Sequence, residues 1–165
     1  MTRYTTMDSP LGALLLVADE EGRLNAVLAP GTKGQPSRPD PGWTEDPAPF
    51  AAAVEQLTAY FSGDLKEFDL PLAPQGSDFR QRVWDALDDI PYGSTVSYGQ
   101  LTAAAGQPPS AVRAVAAAIG TNPLLVIRPC HRVVGADNSL TGFAAGLDAK
   151  RRLLELESPQ DALFG

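Results

Sequence analysis

Apolar and polar residues alternate through residues 3–29, broken by Ser9-Pro10-Leu11-Gly12 and by Glu20-Glu21-Gly22. A two-residue period with turn-forming breaks predicts an antiparallel meander of short strands. Residues 30–49 are rich in Pro and Gly, carry little hydrophobic pattern and read as a loop. From about Pro47 the period lengthens. Phe50, Ala53, Val54, Leu57 and Phe61 recur at helical spacing until Gly63, which predicts a helix and completes a small α+β unit. Residues 70–76 contain Pro and show no period, so a boundary is expected there, with one domain over residues 1–72 and a second over 73–165.

The second part reads as helical. Phe79, Val83, Leu87 and Ile90 share one face of a helix that stops at Pro91-Tyr92-Gly93. Ser97 and Gln100 form a capping-box pair that starts a short helix, which Gly106 ends. A third helix is expected over about residues 110–119, after Pro108-Pro109. Two helices joined by a short Gly-containing turn outline a helix-turn-helix. On the third helix Val112, Val115 and Ile119 make an apolar stripe. Ser110, Arg113, Ala116, Ala117 and Gly120 fall together elsewhere around it, a face of small residues with one long cation. Such a face either packs closely on a neighbouring helix or enters a nucleic-acid groove.

Composition narrows the choice. The 165 residues have the apolar and charged balance of a globular protein. Residues 1–9 hold no apolar core of signal-peptide length, and no stretch reaches the roughly 20 apolar residues of a membrane span. A cytoplasmic protein without membrane attachment is expected. One cysteine, Cys130, excludes an internal disulfide, and one cysteine with one histidine, His131, falls short of a structural zinc site, so no metal is expected. The net charge of −7 argues against a polyanion partner until its distribution is read. Acids crowd the first half, whereas Arg113, Arg128, Arg132, Lys150, Arg151 and Arg152 lie in a stretch whose only acids are Asp137 and Asp148. The later half has the charge to meet phosphates.

The candidate chemistry sits in Val126-Ile127-Arg128-Pro129-Cys130-His131-Arg132-Val133-Val134. A lone cysteine is ordinarily a small buried hydrophobe. Here Arg128, His131 and Arg132 are expected to favour the thiolate, the reactive form of a thiol. Glu157 lies three and four residues after Leu154 and Leu153, at the edge of an apolar helix face. A carboxylate there that met His131 would orient the ring and complete a Cys, His, Glu relay of the kind that activates nucleophiles.

Pro129-Cys130-His131-Arg132-Val133, preceded by Asn122-Pro123-Leu124 and followed by Leu140-Thr141-Gly142-Phe143 and Gly146, closely resembles the active-site signature of the O6-alkylguanine-DNA alkyltransferases, also called methylated-DNA--protein-cysteine methyltransferases. Arg113-Ala114-Val115, Pro91-Tyr92-Gly93, Ser97-Tyr98-Gly99 and the helix over residues 79–90 extend the resemblance across residues 77–157. The amino-terminal part resembles, more loosely, the family's ribonuclease-H-like α/β domain. The fold implied is α+β: that domain, then a mostly helical, winged-helix-like helix-turn-helix domain.

The resemblance implies a single-turnover DNA repair enzyme that needs no cofactor. Cys130 would attack the alkyl carbon of O6-alkylguanine, and His131, held by Glu157, would take the thiol proton through a water. Asn122 would brace the turn, and Tyr98 would donate a proton to the departing guanine. Tyr98, Cys130, Val133, Phe143 and Ala144 would form the base pocket. Ser110, Ala111, Ala114 and Ala117, with Tyr98, would face the minor groove of double-stranded DNA while Arg113 fills the space of the flipped nucleotide. The protein would act as a monomer, and O4-alkylthymine is a further candidate lesion. The product is a thioether, which water does not readily cleave, so each molecule would react once.

Three positions depart from the family pattern: Ala116 for the usual glycine, Phe143 for tyrosine, and Arg128 where an aliphatic residue is expected. Three rival readings remain. A lesion-binding module without turnover would lack the reactive cysteine, a cysteine hydrolase would need an oxyanion hole and repeated turnover, and a transcriptional regulator would need an added cysteine-rich segment.

Overall fold

The alternating amino-terminal residues form strands β1 (Arg3–Met7), β2 (Leu14–Ala18) and β3 (Leu24–Leu28). The computed structural model describes residues 2–30, 39–135 and 146–158. β1 and β3 both pair antiparallel with β2, as the meander predicts. The first turn closes through the Gly12 amide donating to the Ser9 carbonyl, at 2.9 Å. In the second, the Asp19 carboxylate accepts from the Glu21 and Arg23 amides.

The sheet differs from the sequence reading in two respects. A fourth strand, β4 (Thr44–Glu45), pairs parallel to β1 inside the segment read as loop, giving the order β3-β2-β1-β4. Two residues are too few to display a period. The second difference is β2, whose five residues are all buried, because it has a neighbour on each side and both sheet faces are covered. On one face Leu15, Val17 and Leu28 pack with Tyr4, Ala26 and Trp43. Leu14 and Leu16 point to the other, and the turn containing buried Phe50 packs against β2.

Helix α1 (Ala51–Phe61) follows that turn and buries Ala53, Leu57 and Tyr60. Counted from Phe50, the buried set advances by three, four and three residues, so Tyr60 rather than Phe61 completes the stripe. Two other segments line the outer edge of β3. The Leu24 amide donates to the Pro71 carbonyl and the Val27 amide to the Pro123 carbonyl, at 2.9 and 2.8 Å. The edge that would otherwise present free backbone groups is therefore occupied.

The chain divides into two compact units, Met1–Gln75 with Pro123–Ile127, and Gly76–Asn122 with Arg128–Gly165. It leaves the second unit at Asn122 and returns at Arg128. Within that excursion Val126 has φ of 72°, a left-handed conformation that costs a β-branched residue about 1–3 kcal/mol.

In the second unit, α2 (Asp78–Leu87) starts at Ser77, whose hydroxyl accepts from the Arg80 amide, and buries Val83, Trp84, Ala86 and Leu87. The Trp84 indole N–H donates to the Ala118 carbonyl at 2.8 Å, which ties α2 to α4 (Val112–Gly120). Between them lie β5 (Val96–Ser97) and α3 (Tyr98–Ala104). The Ser97 and Gln100 capping box is formed in both directions, at 2.8 and 3.1 Å. Gly106, just beyond α3, takes φ of 75°, where a side chain would be strained.

α3 and α4 pack together as the helix-turn-helix outline requires. α4 buries Val115, Ala118 and Ile119, while Val112 is half-buried, so the stripe is rotated slightly from the one the apolar residues suggest. Ser110, Arg113, Ala114, Ala117 and Gly120 are exposed, and Ala111 and Ala116 half-buried. The small-residue face is thus turned to solvent instead of serving as packing within the unit. A parallel two-strand pairing joins β5 to β6 (Val133–Val134), and α5 (Leu147–Glu157) closes the unit. Among the described residues no helix is long and apolar enough to cross a membrane.

Candidate active site

The site is built on one tight turn. Pro129 follows the turn over residues 125–127, and Cys130–Arg132 form a single 3-10 turn in which the Arg132 amide donates to the Pro129 carbonyl at 3.0 Å. Asn122 pins this turn where the chain re-enters the unit. Its Nδ2 donates to the Arg128 carbonyl at 3.0 Å, and the Cys130 amide donates to the same oxygen at 2.8 Å. The turn then runs into β6. Val133 pairs with Val96 and Val134 with Ser97, the residue before Tyr98, so the β5 and β6 pairing joins the start of α3 to the strand that follows the cysteine's turn.

α5 supplies the rest. It buries Lys150, Leu153, Leu154 and Glu157, residues at i, i+3, i+4 and i+7, so one inward stripe has a charge at each end. Glu157 Oε2 lies 2.7 Å from His131 Nε2. Arg132 donates from Nε to Oε1 at 2.7 Å and from Nη2 to Oε2 at 2.9 Å, a two-pronged grip on the same carboxylate. The third Arg132 nitrogen, Nη1, donates to the Ile90 carbonyl at 2.6 Å. The Pro91-Tyr92-Gly93 turn packs here as well. The Tyr92 hydroxyl donates to the Leu156 carbonyl at 3.3 Å, and a Cβ on Gly93 would stand 3.3 Å from the Glu157 carbonyl oxygen while φ of 82° already strains any other residue.

His131 is fully buried, and burial lowers its pKa below the ordinary histidine value against the opposing hydrogen bond to Glu157. The ring is therefore neutral near pH 7. A neutral imidazole beside a carboxylate carries its hydrogen on Nε2 and donates it to Oε2. Nδ1, which has no hydrogen-bond partner among the described residues, is left as a lone-pair acceptor. This is the tautomer of a general base.

The expected stabilisation of the thiolate by Arg128, His131 and Arg132 is not what the structure holds. Arg132 is committed to Glu157, Arg128 to Asp85 and Asp88, and His131 is uncharged. Burial pushes the Cys130 thiol up to about 11, with the Asn122 side chain and Lys150 pulling it down by less. The cation near the sulfur is Lys150, whose Nζ donates to the Val133 carbonyl at 2.6 Å and whose pKa burial brings down to about 8. Sequence reasoning missed Lys150 as a site residue, although it stands three and four positions before Leu153 and Leu154, the mirror image of the spacing that singled out Glu157.

Cys130 at rest is therefore a thiol. Its reaction with a small neutral alkylating reagent should rise roughly tenfold per pH unit from neutrality, because the thiolate fraction does so below the pKa. The expected profile, read as Cys130 modification rate by mass spectrometry, shows no plateau below about pH 10. A plateau near pH 7 or 8 would establish a preformed thiolate.

Of the expected base pocket, Cys130 lies in the 3-10 turn, Val133 begins β6 and Tyr98 begins α3, and Phe143 and Ala144 lie outside the described residues. The residues expected to face DNA, Ser110, Ala111, Arg113, Ala114 and Ala117, are gathered on α4 and the 3-10 turn before it.

A sheet-based unit followed by a helix-turn-helix unit that holds a buried cysteine against a histidine and glutamate pair defines a class of DNA-directed proteins with an internal nucleophile. Residues 2–74 match the 6-O-methylguanine DNA methyltransferase, ribonuclease-like domain, and residues 78–159 match the 6-O-methylguanine DNA methyltransferase, DNA binding domain. The chain belongs to the methylated-DNA--protein-cysteine methyltransferase family. It is 50% identical over 157 residues to the protein of that name from Mycolicibacterium paratuberculosis, covering 95% of this chain and 93% of the relative. The Methanosarcina acetivorans protein of the same name is 47% identical, covering 93% and 97%. Among solved structures, Mycobacterium tuberculosis OGT in complex with DNA superposes with a TM-score of 0.87 at 50% identity, covering 94% of this chain and 92% of that one.

Proposed function

We propose that this protein binds DNA and repairs it by direct reversal, moving an alkyl group from O6 of guanine to its own Cys130. The observation that carries the reading is the neutral, buried His131, with Nε2 held by Glu157 and Nδ1 left as an acceptor, directly following a buried cysteine in the same turn. Displacement at a saturated carbon forms the Sγ–C bond as the C–O6 bond breaks. His131 Nδ1 takes the thiol proton through a water, and Glu157 stabilises the imidazolium that results. Lys150 supplies positive charge as the sulfur becomes anionic, so the high resting pKa is overcome at the moment of attack. Tyr98 gives its hydroxyl proton to the departing guanine, which leaves as a neutral base.

The exposed small-residue face of α4 supports entry into the minor groove, with Ser110, Ala111, Ala114 and Ala117 allowing close approach and Arg113 taking the place of the extruded nucleotide. Val133 lines the base pocket with Tyr98. The thioether product makes each molecule react once, as a monomer acting in the cytoplasm.

Intact-mass measurement after incubation with a duplex oligonucleotide containing O6-methylguanine tests this reading. The expected result is a gain of one methyl group per protein, mapped to Cys130. Repair of several lesions per protein molecule would contradict the single-turnover mechanism and favour a hydrolase, and no mass gain would overturn the reading.

A further inference from the structure

We propose that Arg128 is a positioning residue for alkyl transfer, which tethers the nucleophile's turn to the C-terminal end of α2 through Asp85 and Asp88. The inference rests on the function proposed above. Arg128 Nη2 lies 3.1 Å from Asp85 Oδ1 and Arg128 Nε 3.6 Å from Asp88 Oδ1. The two acids are three residues apart and so share a face of the last helical turn. The end of a helix carries partial negative charge of its own, which adds to the attraction.

The other end of the same residue is the hub of the active-site turn. The Arg128 carbonyl accepts both the Asn122 Nδ2 and the Cys130 amide hydrogen bonds. On the far side of Cys130, Arg132 docks on the carbonyl of Ile90, two residues beyond Asp88. Two arginines that flank the nucleophile therefore fasten its turn, front and back, to one stretch of chain.

The exposures suit a tether. The Arg128 side chain is 10% exposed, whereas those of Asp85 and Asp88 are 67% and 48% exposed. The acids stay partly hydrated, although burial and the neighbouring Asp85 and Asp89 raise the Asp88 carboxyl against the pull of Arg128, so most of the desolvation falls on the arginine. Nε and Nη1 of Arg128 make no hydrogen bonds among the described residues. The guanidinium is held there by charge, and an uncharged side chain of equal length would not replace it.

The test uses the full chain and single-turnover methyl transfer from a duplex containing O6-methylguanine, with DNA concentration varied and each variant assayed below its melting temperature. Arg128→Gln and the double variant Asp85→Asn/Asp88→Asn should each lower the maximal rate about threefold to tenfold while leaving the half-saturating DNA concentration within about twofold. Arg128→Lys should restore most of the rate. The triple variant should be no slower than Arg128→Gln, because both changes remove the same contact. Unchanged maximal rates, additive losses in the triple variant, or an effect confined to the half-saturating concentration would overturn the tether. Failure of the wild type to transfer methyl would instead overturn the proposed function and this inference with it.

Discussion

Glu157→Gln should both destabilise the protein and nearly silence methyl transfer, and the two losses should be separable. The carboxylate is almost fully buried and is shared by His131 Nε2 and two nitrogens of Arg132. An amide keeps the shape but removes the charge. Whichever way it is turned, its NH2 group faces an N–H donor of Arg132, which is left buried beside another donor. Breaking a buried pair from one side costs about 3–5 kcal/mol. Chemistry suffers by a second route, since imidazolium forming on His131 would have no carboxylate to stabilise it, and loss of such general base assistance slows a reaction about 10²–10⁴-fold. Arg132→Met added to Glu157→Gln removes the stranded cation and should recover much of the stability without recovering the rate. Denaturant unfolding and single-turnover transfer, measured on wild type, single and double variants, check both parts. Recovery of rate together with stability would mean that Glu157 serves the fold alone.

The legibility of this site follows from how each interaction is encoded. Local, periodic features could be read directly. The capping box needs only Ser97 and Gln100 three residues apart, and the grouping of small residues on one face of α4 follows from helical spacing, whereas the exposure of that face is set by the fold. Glu157 was findable because a carboxylate at the edge of an apolar stripe lacks an obvious partner. Lys150 obeys the same rule, but a lysine at a helix start is ordinarily solvated, and its burial depends on Val133 offering a carbonyl from a distant strand. Arg128 shows the limit more sharply. Adjacent in sequence to the cysteine's turn, it invites the inference that its charge acts on the sulfur, yet its guanidinium points to acids some forty residues earlier. Side-chain direction is set by the tertiary fold, and sequence adjacency carries no information about it. The return of Pro123–Ile127 to the first unit was equally hidden, because a short apolar run has no marker for the edge it will join.

Arg113→Ala should slow methyl transfer from duplex DNA by about one to two orders of magnitude while weakening DNA binding far less, because unstacking a base costs a few kcal/mol and a filler side chain offsets part of it. Arg113 is exposed on α4, and its neighbours on that face, Ser110, Ala114, Ala117 and Gly120, are too short to reach into a base stack. One cation lost from the phosphate-facing surface removes only a small part of the electrostatic attraction. The site itself is built on other elements, with Cys130 and His131 in the 3-10 turn and Glu157 on α5. Reaction with free O6-methylguanine base, which requires no extrusion, should therefore proceed at the wild-type rate. A mispaired lesion stacks poorly, so the penalty of the mutation should shrink when the modified guanine faces thymine in place of cytosine. Single-turnover rates on the two duplexes and on the free base, for wild type and Arg113→Ala, give the comparison. Equal slowing on all three substrates would place Arg113 in the chemistry or the fold and end its role in base extrusion.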